Sequence, residues 1–288
     1  MHKRKACLDL DCLRKSFGAS RQALEKQNSS FLNYTKDNEY SQDLFAFSLT
    51  YEYAKIPNMT TDYNENKRGT KTIQNICDET CQRTGKISDE FTGGFEFIKE
   101  HEKSVTIFGS ARTKEDHPDY IHARALGGRL VQELGYTVIT GGGPGIMEAG
   151  NRGAFESGGT SLGMTIQLPH EQSTNPYVTD EFLFHYFFVR KVCMTFASEA
   201  YIYYPGGFGT LDELFEVLTL IQTKKIPHVP VFLVQGDYWK PLGDFILKSL
   251  LEQGLISEGD QDLFVITDDL DEVLKGVKDS RIRTHKDM

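Results

Sequence analysis

Three short stretches pair glycine with residues able to act on a phosphorylated substrate: Phe108-Gly109-Ser110-Ala111-Arg112, Thr140-Gly141-Gly142-Gly143-Pro144-Gly145-Ile146-Met147 and Pro205-Gly206-Gly207-Phe208-Gly209-Thr210. Glycine lets backbone N–H groups come close to a ligand, and a helix that starts just afterwards adds unpaired donors and the positive end of its dipole. One such turn is weak evidence, because any strand-to-helix junction favours glycine. Three together point to an anion cradle.

Glu213 follows the third turn and admits two interpretations. Thr210-Leu211-Asp212-Glu213 matches the S/T-x-x-E capping box, in which the carboxylate serves only the helix start. A carboxylate in a first helical turn beside a phosphate cradle can also act as an acid or base, or stabilise a sugar cation. Arg190-Lys191 is equally double: a solvated basic pair, or a guanidinium that forks onto phosphate or ribose oxygens. His185, within Phe-Leu-Phe-His-Tyr-Phe-Phe, reads as a hydrogen-bonded core histidine and Cys193 as a packed thiol.

The common nucleotide motifs fit badly. G-x-x-x-x-G-K-[ST] is missing, and GGGPGIM is not G-x-G-x-x-G. The following strand ends Thr165-Ile-Gln-Leu168, without the acidic ribose ligand of a dinucleotide site. A mononucleotide phosphate remains as the ligand.

The elements that must position these groups begin near Asp89, where short Val/Ile/Phe-rich runs start to alternate with amphipathic segments. That is the pattern of an α/β, Rossmann-like doubly wound parallel sheet with helices on both faces. Predicted strands are 105–109, 136–140, 160–166, 182–188 (an unbroken apolar run suited to burial on both faces), the run AYIYYP, VPVFLV and DLFVIT. Predicted helices are Pro118–Leu134 (with Ile121, Ala125, Leu126, Leu130 and Leu134 close to helical spacing), one from near Pro144, Val189–Ala197, Tyr238–Glu252 and Asp269–Lys278. Another follows Thr210, where Leu211, Leu214, Phe215, Leu218 and Ile221 recur at i, i+3, i+4 and i+7. Two segments result: 1–88, a polar extension that is partly disordered or helical, and 89–288, the Rossmann-like domain.

The 288 residues carry a net charge of −9, so the chain offers no basic field for a nucleic-acid polymer. No apolar run reaches membrane-spanning length. The five cysteines, an odd count without a secretory signal, fit free thiols in a reducing compartment, and the expected location is the cytoplasm. The basic start, interrupted by Asp9 and Asp11, is a weak match to an organelle transit peptide. Cys7/Cys12 and Cys77/Cys81 can be written as a four-thiolate zinc site, though neither spacing is the usual one, and unlinked cysteines with no metal is the expectation.

From about Phe91 to Lys278 the chain resembles the LONELY GUY (LOG) family of cytokinin-activating nucleotide phosphoribohydrolases, once labelled lysine decarboxylases. FGSART, GGGPGIMEAGNRGA, LPHEQSTNPY, HYFFVRKVCM and PGGFGTLDELFEVLT carry the resemblance in the family's order. It implies Arg190 and Glu213 as catalytic residues, and substrate contacts at Lys191, at Gly207 through Asp212, at Thr219, and at Glu171 and Asn175 in the EQSTNPY loop. GGGPGIMEA differs from the GGGxxGLMG form of the plant enzymes and is similar to the bacterial branch with an extended N-terminus. The implied activity is hydrolysis of the N-glycosidic bond of a nucleoside 5′-monophosphate, AMP or a cytokinin riboside 5′-monophosphate, without a cofactor, in a homodimer or larger assembly. A broad purine/pyrimidine nucleotide nucleosidase and a non-catalytic nucleotide sensor are the alternatives.

Overall fold

A computed structural model of the chain describes residues 73–101, 103–167 and 173–282. Most of the extension inferred for residues 1–88 lies outside these, as do Cys7 and Cys12. The extension's last part is the start of helix α1 (Ile73–Lys99), which continues unbroken past residue 88 and carries Cys77 and Cys81. Among the described residues, no helix is long and apolar enough to cross a membrane.

The elements then alternate: β1 (Ser104–Phe108), α2 (Pro118–Leu134), β2 (Thr137–Thr140), α3 (Ile146–Glu156), β3 (Ser161–Ile166), β4 (Asp180–Phe184), α4 (Phe187–Phe196), β5 (Ala200–Tyr203), α5 (Phe208–Gln222), β6 (Val231–Leu233), α6 (Gly236–Phe245), β7 (Val265–Ile266) and α7 (Leu270–Asp279). A π-helical stretch, Ile246–Leu251, extends α6. The seven strands form one sheet in the order β4-β3-β2-β1-β5-β6-β7, and every pairing is parallel. This is the α/β doubly wound architecture expected from the sequence. The chain winds outward from β1 to β4 and then returns to β5 on the other side of β1, so a topological switch point lies between β1 and β5.

Alternate residues of the central strands feed two cores. Val105, Ile107, Val138 and Ile202 pack with α2, α3 and α7; Phe108, Ile139, Tyr201 and Tyr203 pack with α1, α4 and α5. All five residues of β1 are buried, as a parallel strand covered on both faces requires. Helix α2 turns Tyr120, Ala123, Leu126 and Leu130 to the core, whereas Ile121 is 58% exposed, so its buried stripe is rotated from the predicted one.

The run 182–188 is not one strand buried on both faces. β4 ends at Phe184 and is the sheet's edge; Leu183 is 58% exposed and Phe187 already belongs to α4. The apolar character has two sources. Phe182 and Phe184 press against the glycines of α1, where a Cβ on Gly93 would lie 2.9 Å from the Phe182 ring, while Leu183 and Phe187 face a cleft. His185, expected in the core, sits exposed in the β4–α4 turn, its Nδ1 3.2 Å from Gln167 Oε1. Cys193 is buried, as a packed thiol should be; burial, with help from the Glu90 charge, pushes its pKa up to about 12.

Candidate active site

The three glycine turns leave the carboxyl ends of β1, β2 and β5 and share one cleft of about 820 Å³, also lined by α4, β3 and β4. Two of them interlock. Gly145 has φ 72°, and a Cβ there would strike the carbonyl of Ser110 and the backbone of Ala111, so the β2 turn closes on the β1 turn only with glycine at this position. The Ile146 amide donates to Ser110 O at 3.0 Å and completes the junction.

Asn175 fixes the same turn from the opposite side. Its Nδ2 lies 3.1 Å from Gly142 O, 3.0 Å from Gly143 O and 2.9 Å from Asn151 Oδ1, all buried. Asn151 in turn accepts from Thr140 Oγ1 at 2.5 Å and donates to Ser161 Oγ at 2.7 Å. This polar network spans β2, α3 and β3 and holds the shape of the GGG backbone.

Arg190, in the first turns of α4, is buried. Its Nε donates to Met164 O of β3 at 2.7 Å, and a Cβ on Gly141 would lie 2.5 Å from its Nη2, so glycine leaves the guanidinium room beside the turn. Its Nη1 lies 3.8 Å from Glu213 Oε1. Burial drives Glu213 up to about 7 against the opposing pull of Arg190, and burial likewise lowers Arg190. A carboxyl group with its pKa near neutrality, held by a guanidinium, is poised to exchange a proton or to meet a developing positive charge.

The capping-box interpretation of Glu213 is overturned. The N-cap of α5 is Gly207 and no side chain caps the helix; Thr210 lies inside the first turn, buried against Gly206. Two glycines ahead of Thr210 let the helix start one turn sooner than the S/T-x-x-E pattern suggested. The first-turn amides of α5 therefore have no intrahelical partner and face the cleft through Gly207, Phe208, Gly209 and Thr210. Tyr238 Oη donates to Gly206 O at 2.6 Å and pins the loop that leads in.

Not every expected site residue reaches the cleft. Gly109, Ser110, Gly141, Gly142, Gly143, Met147, Gly207, Phe208, Gly209, Thr210, Leu211, Arg190 and Glu213 line it. Gly145 and Asn175 stand behind it as described, and Gly206 directly precedes its wall. Lys191 turns away: its Nζ is 2.7 Å from Asp212 Oδ2 and 2.9 Å from Glu216 Oε2. Burial pulls its pKa down, but these two carboxylates outweigh that and keep the ammonium charged. Thr219 is exposed farther along α5 and donates to Phe215 O at 2.6 Å. Glu171 lies outside the described residues.

The sequence motifs missed the wall formed by Thr165, Glu181, Leu183 and Phe187. A signal was present in the alternation Asp-Glu-Phe-Leu-Phe of β4, where Glu181 and Leu183 share one face and Phe182 and Phe184 the other.

A family model described as "possible lysine decarboxylase" matches residues 147–277. The cytokinin riboside 5′-monophosphate phosphoribohydrolase of Rhodococcoides fascians is 26% identical over 181 residues, covering 61% of this chain and 89% of that protein. The Arabidopsis thaliana cytokinin riboside 5′-monophosphate phosphoribohydrolase LOG1 is 32% identical over 181 residues, covering 62% of this chain and 83% of that enzyme. The pyrimidine/purine nucleotide 5′-monophosphate nucleosidase of Escherichia coli K12 is 24% identical over 94% of this chain but only 60% of its own length. Among solved structures, the molybdenum cofactor carrier protein of Chlamydomonas reinhardtii aligns with a TM-score of 0.45 and 22% identity, covering 62% of this chain and 96% of that one. With glycine turns, Arg190 and Glu213 drawn into one cleft, and with this similarity to LOG1 over most of that enzyme's length, the chain belongs to the LOG family.

Proposed function

We infer that the protein hydrolyses the N-glycosidic bond of a nucleoside 5′-monophosphate, AMP or a cytokinin riboside 5′-monophosphate, to the free base and ribose 5-phosphate. The observation that carries this is the pairing of buried Arg190 with half-buried Glu213 at the uncapped start of α5. The first-turn amides at Gly207–Thr210 hold the 5′-phosphate, and that remote binding energy places the anomeric carbon beside Glu213. As the C–N bond breaks, its electron pair leaves with the base and positive charge develops on the sugar. Ionised Glu213 stabilises that charge or takes a proton from the attacking water. Arg190, a poor proton donor, acts as an electrostatic clamp on base departure. The chemistry needs no cofactor.

Lysine decarboxylation has little support from the cleft. No lysine lines it among the described residues, and the nearest candidate, Lys191, is kept protonated by two carboxylates and so is a poor nucleophile toward a carbonyl.

A second reading is a broad purine/pyrimidine nucleotide nucleosidase. It is favoured by the Escherichia coli relative, whose similarity runs over 94% of this chain and so beyond the LOG-like segment. Residues 89–288 would form the catalytic domain in either case, in the cytoplasm. The exposed Phe187, Phe188 and Phe208 suit burial in a homodimer or larger assembly.

Product analysis after incubation with AMP, GMP, CMP and isopentenyl-AMP tests both readings. Release of free base from AMP or isopentenyl-AMP is expected, and Glu213→Gln should slow it about 10³-fold. Full turnover in that variant would defeat the mechanism, whereas equal turnover of the whole panel would favour the broad nucleosidase.

A further inference from the structure

Beyond the glycine turns, one charged group in the cleft has a geometry that the reaction leaves unused. Glu181 stands on the edge strand β4, opposite Gly163 of β3, and lines the cleft with Leu183 and Phe187. Two hydroxyls hold a single oxygen of its carboxylate: Thr165 Oγ1 donates to Oε1 at 2.6 Å and Thr174 Oγ1 donates to the same atom at 2.8 Å. Its Oε2 accepts from no group among the described residues. Fixing one oxygen by two donors removes the side chain's rotational freedom and leaves the other as an oriented, acceptor-only position.

Its distance from the reacting centre is set through β3. Arg190 is tied to Met164 O and Glu181 to the side chain of Thr165, the next residue. The two side chains are thus anchored on neighbouring residues of β3 and line the same cleft. With the phosphate at α5 and the anomeric carbon at Glu213, the base must extend toward β3 and β4. Leu183 and Phe187 offer its ring an apolar wall there.

We propose that Glu181 is the base-reading residue, selecting nucleotides whose base presents an exocyclic amine over those presenting a carbonyl at the same position. The proposal rests on the nucleotide reading above. A carboxylate accepts from an amine such as adenine N6 or cytosine N4 and repels a carbonyl oxygen. AMP and CMP are therefore preferred over IMP and UMP.

The test compares kcat/KM for these four nucleotides in the wild type, Glu181→Gln and Glu181→Ala. Glutamine is isosteric and can keep the Oε1 contacts to both threonines, but its amide can also donate to a carbonyl. The wild type should favour AMP over IMP and CMP over UMP by about 10- to 100-fold, and both variants should bring the ratios within about threefold. Calorimetric titration of AMP and IMP into the Glu213→Gln and Glu213→Gln/Glu181→Gln proteins reads the same preference without turnover. Equal use of amino and oxo nucleotides by the wild type, or a preference that survives in both Glu181 variants, overturns the proposal and leaves hydrolysis standing. If no nucleotide is hydrolysed but AMP binds better than IMP only when Glu181 is present, the hydrolase reading falls and base reading stands. Equal binding of AMP and IMP overturns base reading.

Discussion

At the scale of single residues, the site turns on how burial divides a charge between two side chains. Glu213 is raised to about 7 by desolvation, with Arg190 pulling the other way. In the proposed reaction the ionised form is the active one, so kcat/KM should rise with pH through an apparent pKa near 7. Glu213→Gln should lose about 10³-fold in kcat along with that rise. Arg190→Ala removes the charge that favours the carboxylate and should move the rise to higher pH, a shift that a pH–rate profile separates from simple loss of activity. The same group sets a stability dependence. Its folded pKa lies above the unfolded value of 4.5, so the folded state holds the extra proton between them. The stabilisation is full below about 4.5 and disappears as pH rises through about 7. Urea unfolding at pH 4.5 and 8 should show wild type losing up to about 3 kcal/mol relative to Glu213→Gln over that span.

Among the elements, positioning is done by neighbours that carry no chemistry themselves. Glu90 of α1 accepts from the His185 amide at 3.0 Å and the Tyr186 amide at 3.1 Å, so one carboxylate holds the turn that launches α4 and Arg190 with it. Glu90→Ala should cost about 1–3 kcal/mol in urea unfolding and lower kcat more than it raises KM. Asn175→Ala strands the buried carbonyl of Gly143, while Gly142 O keeps its bond from the backbone amide of residue 175, and should lower the urea midpoint by a similar free energy at unchanged m. Neither device is visible in the chain's linear order, because both join residues that only the fold brings together. What was visible is local: the apolar runs of β1, β2, β3 and β5, the buried Leu214, Leu218 and Ile221 of the α5 stripe (though not Phe215, which is exposed), and the glycine turns with Arg190 and Glu213. Where local pattern misled, the reason was a distant partner in one case and a competing local signal in the other. The aromatic run 182–188 looks doubly buried, yet half of it packs on α1 and the rest lines a cleft. The Thr210 box looks like a cap, yet Gly207 starts the helix first.

For the whole molecule, the question is how much of the chain the site needs. Every cleft residue described lies between Phe108 and Glu213. From residue 82 onward, the described packing of α1 starts at Ile87, which meets the core with Phe91, Phe95, Phe97 and Ile98; residues 82–86 are exposed. The compact unit that holds the cleft begins at Lys71, so a cut there leaves it whole. A cut before Asp89 instead severs α1 and removes Ile87, along with the turns that support a helix carrying Glu90. Helices lose cooperativity as they shorten, and the new first turn would hold Glu90 by fewer intrahelical bonds. A chain starting at Lys71 should therefore keep AMP turnover within about twofold of the full protein, with a melting temperature shifted by less than about 2 °C. One starting at Asp89 should melt several degrees lower, by about 4 °C or more for a loss near 2 kcal/mol, and should lose kcat in the way Glu90→Ala does. If the Lys71 chain loses turnover while melting like the full protein, residues 1–70 take part in substrate binding or chemistry, and the cleft described here is only part of the site.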